Sequence, residues 1–410
     1  MAASSAPAPP FVADRRDLLA RPVRDGARLQ CDVLVVGLGF GAALCDRLSA
    51  DGWSVVGIDR AHGRGSTFTN QNWKHSGALY LDVDIARRLA AANRERSLPE
   101  RQSLLSTGSR FLCGDAELLE RHLAVCRAAG VDSRRLGHDA SPGGVPLRAG
   151  TEHGFVSSDS VIDYGRVVRC HLDHARARGA RILLPATLEA IERTDDAVTG
   201  SVIRHGGELH RVACRTMVLA CGAWTGEVAA RAGLDLQLRN WVSPILVVRR
   251  RLVSEITVFI DEPHLTLVPV GETTLVSNSS RQPAVGPDDR RPPSTASIRH
   301  VLDELRRDFP ILRTVDPDEV SMRRCIKSAL VLPSESLEGP LQEDGLQKDG
   351  LQEDGLQKDG LQKDSGLAPC VLGEETLGVE GLLATVPGKA SLLWQGAGEL
   401  ARRVAQLLAR

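Results

Sequence analysis

The chain has 410 residues, 42% of them hydrophobic and 25% charged, the proportions of a globular protein large enough for two or three cored domains. With 51 basic and 52 acidic side chains its net charge is −1, which gives no basic face for nucleic acid. No apolar run approaches the roughly 18 residues of a membrane span, and nine cysteines without a C-x-x-C pair point to packed thiols in a reducing, cytoplasmic compartment rather than to a zinc site or a disulfide framework.

Residues 1–28 lack the basic start and apolar stretch of an export signal and read as a disordered tail. The next thirty residues organise everything after them. An apolar run, Val33-Leu34-Val35-Val36, turns through Gly37-Leu38-Gly39-Phe40-Gly41-Ala42 into a helical stretch, and a second run, Trp53 to Ile58, ends in Asp59 and Arg60. This is strand, glycine turn, helix, strand, acid. Gly37 permits the tight turn, Gly39 lets the backbone approach a pyrophosphate, and Gly41 and Ala42 stay small where helix meets strand. Phosphate at the helix N-terminus is favoured by unpaired N–H groups and the helix dipole. Asp59 is placed to accept from a ribose hydroxyl. The pattern predicts a dinucleotide site.

The polar stretch that follows, Gly63 to Tyr80, has no evident use in a nicotinamide dehydrogenase. It resembles the second motif of the FAD-dependent D-amino-acid oxidase and glycerol-3-phosphate dehydrogenase superfamily, most closely R-N-H-G-L-L-H-S-G-A-R-Y, which Asn70, His75, Ser76, Gly77, Ala78 and Tyr80 match. The resemblance implies FAD as cofactor, with Ser66 and Thr67 at the pyrophosphate, Asn70 in the same contact set, and His75 beside the isoalloxazine as a candidate base. Leu79 stands where glycerol-phosphate enzymes of the family carry an arginine, so phosphate recognition is not expected.

Farther on, apolar spacing from Leu81 to about Ala129 reads as helical, and Leu136 to Gly154 as a surface crossing. An extended segment ending at Asp163 precedes a helix over Tyr164 to Arg178, with Asp163 as its N-cap. Arg181 to Leu184 and Ala186 to Ile191 read as a strand pair; the resemblance puts them beneath the adenine, with Leu188 as a cofactor contact. Val198 to His205 and Glu208 to Val212 flank Gly206-Gly207, a hairpin signal. Met217 to Thr225 resembles the family's A-A-G-x-W strand end, with Gly222 close to the dinucleotide. Short strands alternate with turns from Leu238 to about Val331, followed in that span by a helix over Ser297 to Phe309. Arg323, Arg324 and Lys327 lie near the place where the family holds a substrate carboxylate.

Residues 341–365 are five pentamers with seven acids and three lysines. A period of five matches neither helix nor strand, and the block reads as a flexible acidic loop. Finally Val386 to Ser391 resembles the family's G-G-K-x-T turn, in which Gly388, Lys389 and Ser391 match and Pro387 departs, leading into a helix through Leu408.

The expected fold is α/β: a Rossmann-like FAD-binding domain at 29–90, 150–237 and 371–410, a helical segment at 91–149, and an inserted antiparallel β-rich substrate domain at 238–333. The expected function is oxidation of a CH–OH or CH–NH group of a small hydroxy or amino acid, with His75, Tyr80 and Lys327 as the catalytic set. Oxygen and a carrier both stand as electron acceptor. An NAD-dependent dehydrogenase and a non-catalytic flavin-binding subunit are the alternatives.

Overall fold

Two sheets and the helices packed on them make up the computed structural model, which describes residues 29–61, 65–137, 148, 151–278, 282–283, 286, 293–331, 370–386 and 388–410. The readings of residues 1–28, of the pentamer block at 341–365 and of Pro387 lie outside the described residues.

The first sheet is built around β1 (Leu29–Val36). It pairs in parallel with β2 (Val55–Ile58) on one side and with Glu208–Leu219 on the other. Arg181–Leu183 continues the sheet beyond β2, and Leu382–Val386 continues it beyond Glu208–Leu219, both again parallel. Such a sheet is covered on both faces, and the central parts of its strands, Val33–Val36, Val55–Ile58, Met217–Leu219 and Leu382–Val386, are accordingly buried. On one face lie α1 (Gly41–Ala50), the Tyr164–Ala177 helix and the C-terminal Leu393–Leu408 helix, which bury Leu44, Leu172 and Leu400 together. Against the other, the antiparallel strands Ala186–Thr194 and Ala197–His205 bury Leu188 and Ile203 with Leu34.

Local signals hold up where the chemistry is local. Gly206 and Gly207 take left-handed φ values of 60° and 89° and join Ala197–His205 to its antiparallel partner, while the Asp163 carboxylate accepts from the Arg166 N–H at 3.0 Å and caps its helix. Three readings change. The runs at Glu208 to Val212 and Met217 to Leu219 are one twelve-residue strand, which leaves its hairpin partner and continues beside β1. Arg181–Leu183 and Ala186–Thr194 do not pair with each other, since the first lies beside β2 and the second beside Ala197–His205. The stretch 81–129, with the segment 91–149 that overlaps it, is not helical throughout. It forms helices at Val83–Arg94, Leu98–Gln102 and Ala116–Ala129 but a ten-residue strand at Leu104–Cys113. Left-handed Gly108 and two register shifts blur the alternation of that strand, and its pairing with His153–Ile162 and Ile256–Phe259 decides its conformation.

That strand belongs to the second sheet, of ten strands among the described residues. Strands between 238 and 330 supply one part, including the long antiparallel pair Leu238–Val248 and Val320–Leu330. The rest comes from β3 (Trp73–Lys74), Leu104–Cys113, Ser133–Arg135 and His153–Ile162. The sheet therefore reaches beyond the limits 238–333.

A buried ion pair at β3 joins this sheet to the C-terminal turn. Lys74 Nζ, on a side chain with no exposed surface, donates to Glu100 Oε1 at 2.6 Å and to the Ser391 carbonyl at 3.0 Å. The other Glu100 oxygen accepts from the Ser97 N–H at 2.8 Å, completing a capping box on Leu98–Gln102. Burial draws the ammonium below its ordinary range, and the Glu100 carboxylate opposes that. Losing one member of a dry pair strands the other charge. Lys74→Met should lower the unfolding free energy by about 3–5 kcal/mol in urea titrations, and adding Glu100→Leu should recover part of it; a single variant as stable as the parent contradicts the assignment.

Candidate active site

The parallel strands of the first sheet open at a common end. β1 runs into Gly37–Ala42, β2 into Asp59, Glu208–Leu219 into Gly222, and Leu382–Val386 toward Gly388 and Lys389. The crevice outside the carboxyl ends of such strands is where an open α/β sheet binds ligand. Gly37 has φ 95°, and a Cβ there would lie 2.4 Å from the Ala220 carbonyl oxygen, so no other residue fits. Asp59 braces this turn: Oδ2 accepts from the Leu38 N–H at 2.7 Å and Oδ1 from the Ala61 N–H at 2.9 Å. Gly41 lies against Val35, and Ala42 is fully buried. α1 begins with neither a capping side chain nor an acid in its first turn, which leaves its N-terminus suited to an anion.

α2 (Ser66–Thr69) closes over that turn. A Cβ on Gly39 would meet Thr67 Oγ1 at 2.9 Å, so the bare glycine is what lets Thr67 pack this closely on the turn. The Ser66 hydroxyl donates to the Ile326 carbonyl and thereby ties α2 to the strand that carries Lys327. Asn70 shapes its own turn, donating to the Thr67 carbonyl at 2.9 Å and accepting from the Asn72 N–H at 2.6 Å. Arg60 is exposed, its guanidinium 5.2 Å from the centre of the Trp224 ring. Leu188 is buried in the core, two residues beyond Ala186, whose N–H donates to the Asp59 carbonyl at 2.8 Å.

His75 follows β3 directly. Its N–H donates to Ser391 Oγ at 3.0 Å, which brings the histidine and the C-terminal turn together. The imidazole packs against Trp73 with centroids 3.9 Å apart and the rings tilted by 36°, and meets the Tyr80 ring edge-on at 5.7 Å. Burial, reinforced by the positive charges of Lys389 and Lys327, holds its pKa well below the usual histidine range, and the ring is neutral at pH 7. Lys389 Nζ lies 4.9 Å from the centre of the Tyr80 ring. The Tyr80 hydroxyl is pushed up by burial and by Asp159. His264 enters the same field: burial brings it down to about 4, and the Lys389 charge adds to that.

Along Val320–Leu330 the side chains alternate. Arg323 and Lys327 share the face of Cys325, which packs into the same cluster as Trp73 and Ala78, whereas Arg324 falls on the other face. Burial lowers the Arg323 pKa. Lys74, Glu100 and Asp159, which hold the histidine segment, went unnoticed in the sequence; a carboxylate inside an otherwise buried strand was the one available signal, at Asp159.

Polar atoms and shape both fit FAD. The uncapped α1 N-terminus and the side-chain-free Gly39, with the Thr67 hydroxyl beside it, suit a pyrophosphate. At the other end, His75 Nδ1 and the Tyr80 hydroxyl are buried without a hydrogen-bond partner among the described residues, as expected of groups facing a cofactor or substrate. The FAD dependent oxidoreductase (DAO) family model matches residues 32–334. The chain belongs to this family. It is an FAD-dependent oxidoreductase, and the NAD-dependent and non-catalytic alternatives fall away. In fold it is similar to glycine oxidase from Geobacillus kaustophilus, at 18% identity and TM-score 0.67 over 93% of this chain and 95% of that one. It is likewise similar to L-proline dehydrogenase from P. horikoshii, at 16% identity and TM-score 0.67 over 93% and 94%. FAD-bound glycerol-3-phosphate dehydrogenase from Bacillus halodurans matches at 16% identity and TM-score 0.67, over 93% of this chain but 65% of the longer enzyme. No curated protein sequence matches. Among the described residues no helix is long and apolar enough to cross a membrane.

The close packing of Thr67 on Gly39 gives a direct test. Gly39→Val would drive a branched side chain into Thr67 and the pyrophosphate path, so the purified variant should be colourless; a full FAD complement in its absorbance spectrum would refute the placement.

Proposed function

We propose that this oxidoreductase acts on a small hydroxy or amino acid, removing hydrogen from a CH–OH or CH–NH group, with His75 as the base. The observation that supports this most is the His75 imidazole: neutral, buried, and with Nδ1 unpartnered among the described residues. A neutral imidazole with an open nitrogen can take a proton from a substrate heteroatom. FAD, when bound, supplies the two-electron acceptor for the hydride.

The remaining groups sort by charge. Lys327 and Lys389 bring positive charge to the His75 neighbourhood, which favours a substrate carboxylate and disfavours protonation of the imidazole. Lys389, at the turn before the C-terminal helix, also suits negative charge on a reduced ring system. Tyr80 stays protonated and offers a hydroxyl donor. Leu79 packs into the apolar cluster with Trp73 and Ala78 and presents no donor for a phosphate, which favours carboxylate substrates over glycerol phosphate.

Anaerobic stopped-flow reduction separates this role from a structural one. His75→Ala should keep its FAD and lose about 10²- to 10⁴-fold in the rate constant of flavin reduction, with substrate affinity changed far less. Reduction at the parent rate would remove His75 as the base and leave Tyr80 and His264 as the next candidates.

A further inference from the structure

Asp159 lies inside the strand His153–Ile162 with no exposed surface, and both of its oxygens are fully engaged. Oδ1 accepts from Trp73 Nε1 at 2.7 Å and from the Ser76 N–H at 2.9 Å. Oδ2 accepts from Ser76 Oγ at 2.6 Å and from Ser109 Oγ at 2.7 Å. Four donors on four acceptor positions satisfy a carboxylate and leave no room for a proton unless one serine turns round. Burial raises the pKa of this group, and the donors oppose the rise.

These bonds are arranged around His75. Trp73 and Ser76 lie two residues before it and one after, and Trp73 is also the ring against which the imidazole packs, 3.9 Å between centroids. Ser76 Oγ further accepts from the Ala78 N–H at 3.3 Å, so the same carboxylate braces the turn that follows. A one-atom change at Asp159 therefore bears on the imidazole from both sides without touching it.

We propose that Asp159 is a positioning residue for the reaction: through Trp73 and Ser76 it fixes the His75 imidazole in the orientation that receives the substrate proton. The proposal rests on the reading of His75 as the base. In Asp159→Asn one oxygen becomes an amide that donates where it formerly accepted, so at least two of the four bonds must break or reverse. The imidazole then has a wider range of orientations, and the loss falls on the chemical step rather than on binding.

A double-mutant cycle on anaerobic flavin reduction tests this in the FAD-loaded protein. Asp159→Asn should lower the reduction rate constant by about 10- to 100-fold with little change in substrate affinity. In a His75→Ala background the same substitution should cost less than about 2-fold, because a residue acting through the imidazole has nothing left to act on. Ser76→Ala, which removes one of the four donors, should show the same pattern with a smaller loss and carries the test if Asp159→Asn does not accumulate. Equal losses in both backgrounds, or a parent-like rate for Asp159→Asn, would overturn the proposal while leaving His75 as the base. A parent-like rate for His75→Ala alone would overturn the base assignment and the positioning role with it.

Discussion

Four residues, Trp73 to Ser76, are held from two sides by charges that no water reaches. Lys74 is bound to Glu100 and to the Ser391 carbonyl, and Asp159 is bound to Trp73 and Ser76. Either charge left alone in the interior would cost several kcal/mol, so each fixes the position of its partners strongly. The consequence is geometric. His75, between them, has its backbone tied to Ser391 and its ring packed against Trp73, and these contacts set the place of the imidazole. Preorganisation of this kind is how a fold avoids a reorganisation cost during the reaction.

The same contacts bring together pieces of chain that are far apart in sequence. Ser391 sits 317 residues from Lys74 and 316 from His75, yet it receives a hydrogen bond from each, through its carbonyl and its hydroxyl respectively. Because the C-terminal turn also carries Lys389, the cation that perturbs His75 and His264 is located by the joint that locates His75. Ser66 makes a comparable link between α2 and the strand of Lys327. The site is thus assembled at the seam of the two sheets, and its electropositive character follows from which strands and turns meet there.

The parts of this arrangement that were legible in the sequence are those written in consecutive residues. The glycine turn, Asp59, the Gly206-Gly207 hairpin, the Asp163 cap and the His75 motif all announce themselves within a few positions, because turn geometry, capping and parallel-strand burial act locally. Leu104–Cys113 carries no strand signature of its own, because its conformation is decided by strands roughly 40 to 150 residues away, across a glycine that interrupts the alternation. Lys74, Glu100 and Asp159 were silent for a related reason. A lysine, a glutamate and an aspartate are usually solvated, and only the burial of Lys74 against Glu100, 26 residues on, and of Asp159 against Trp73 and Ser76, 83 to 86 residues back, reveals what they hold.

The central claim is that a neutral, preplaced imidazole serves as the base, and the pH dependence of kcat/KM for flavin reduction tests it most directly. A 2-hydroxy acid is the suitable substrate, because its own carboxylate titrates well below the range examined. Burial and the two lysines hold the His75 pKa well below the ordinary histidine range, so the profile should show no titration step between about pH 6 and pH 8, any fall lying at lower pH. A sigmoidal rise with an apparent pKa between about 6 and 7 that disappears in His75→Ala would show an ordinary, solvated histidine and would contradict the account.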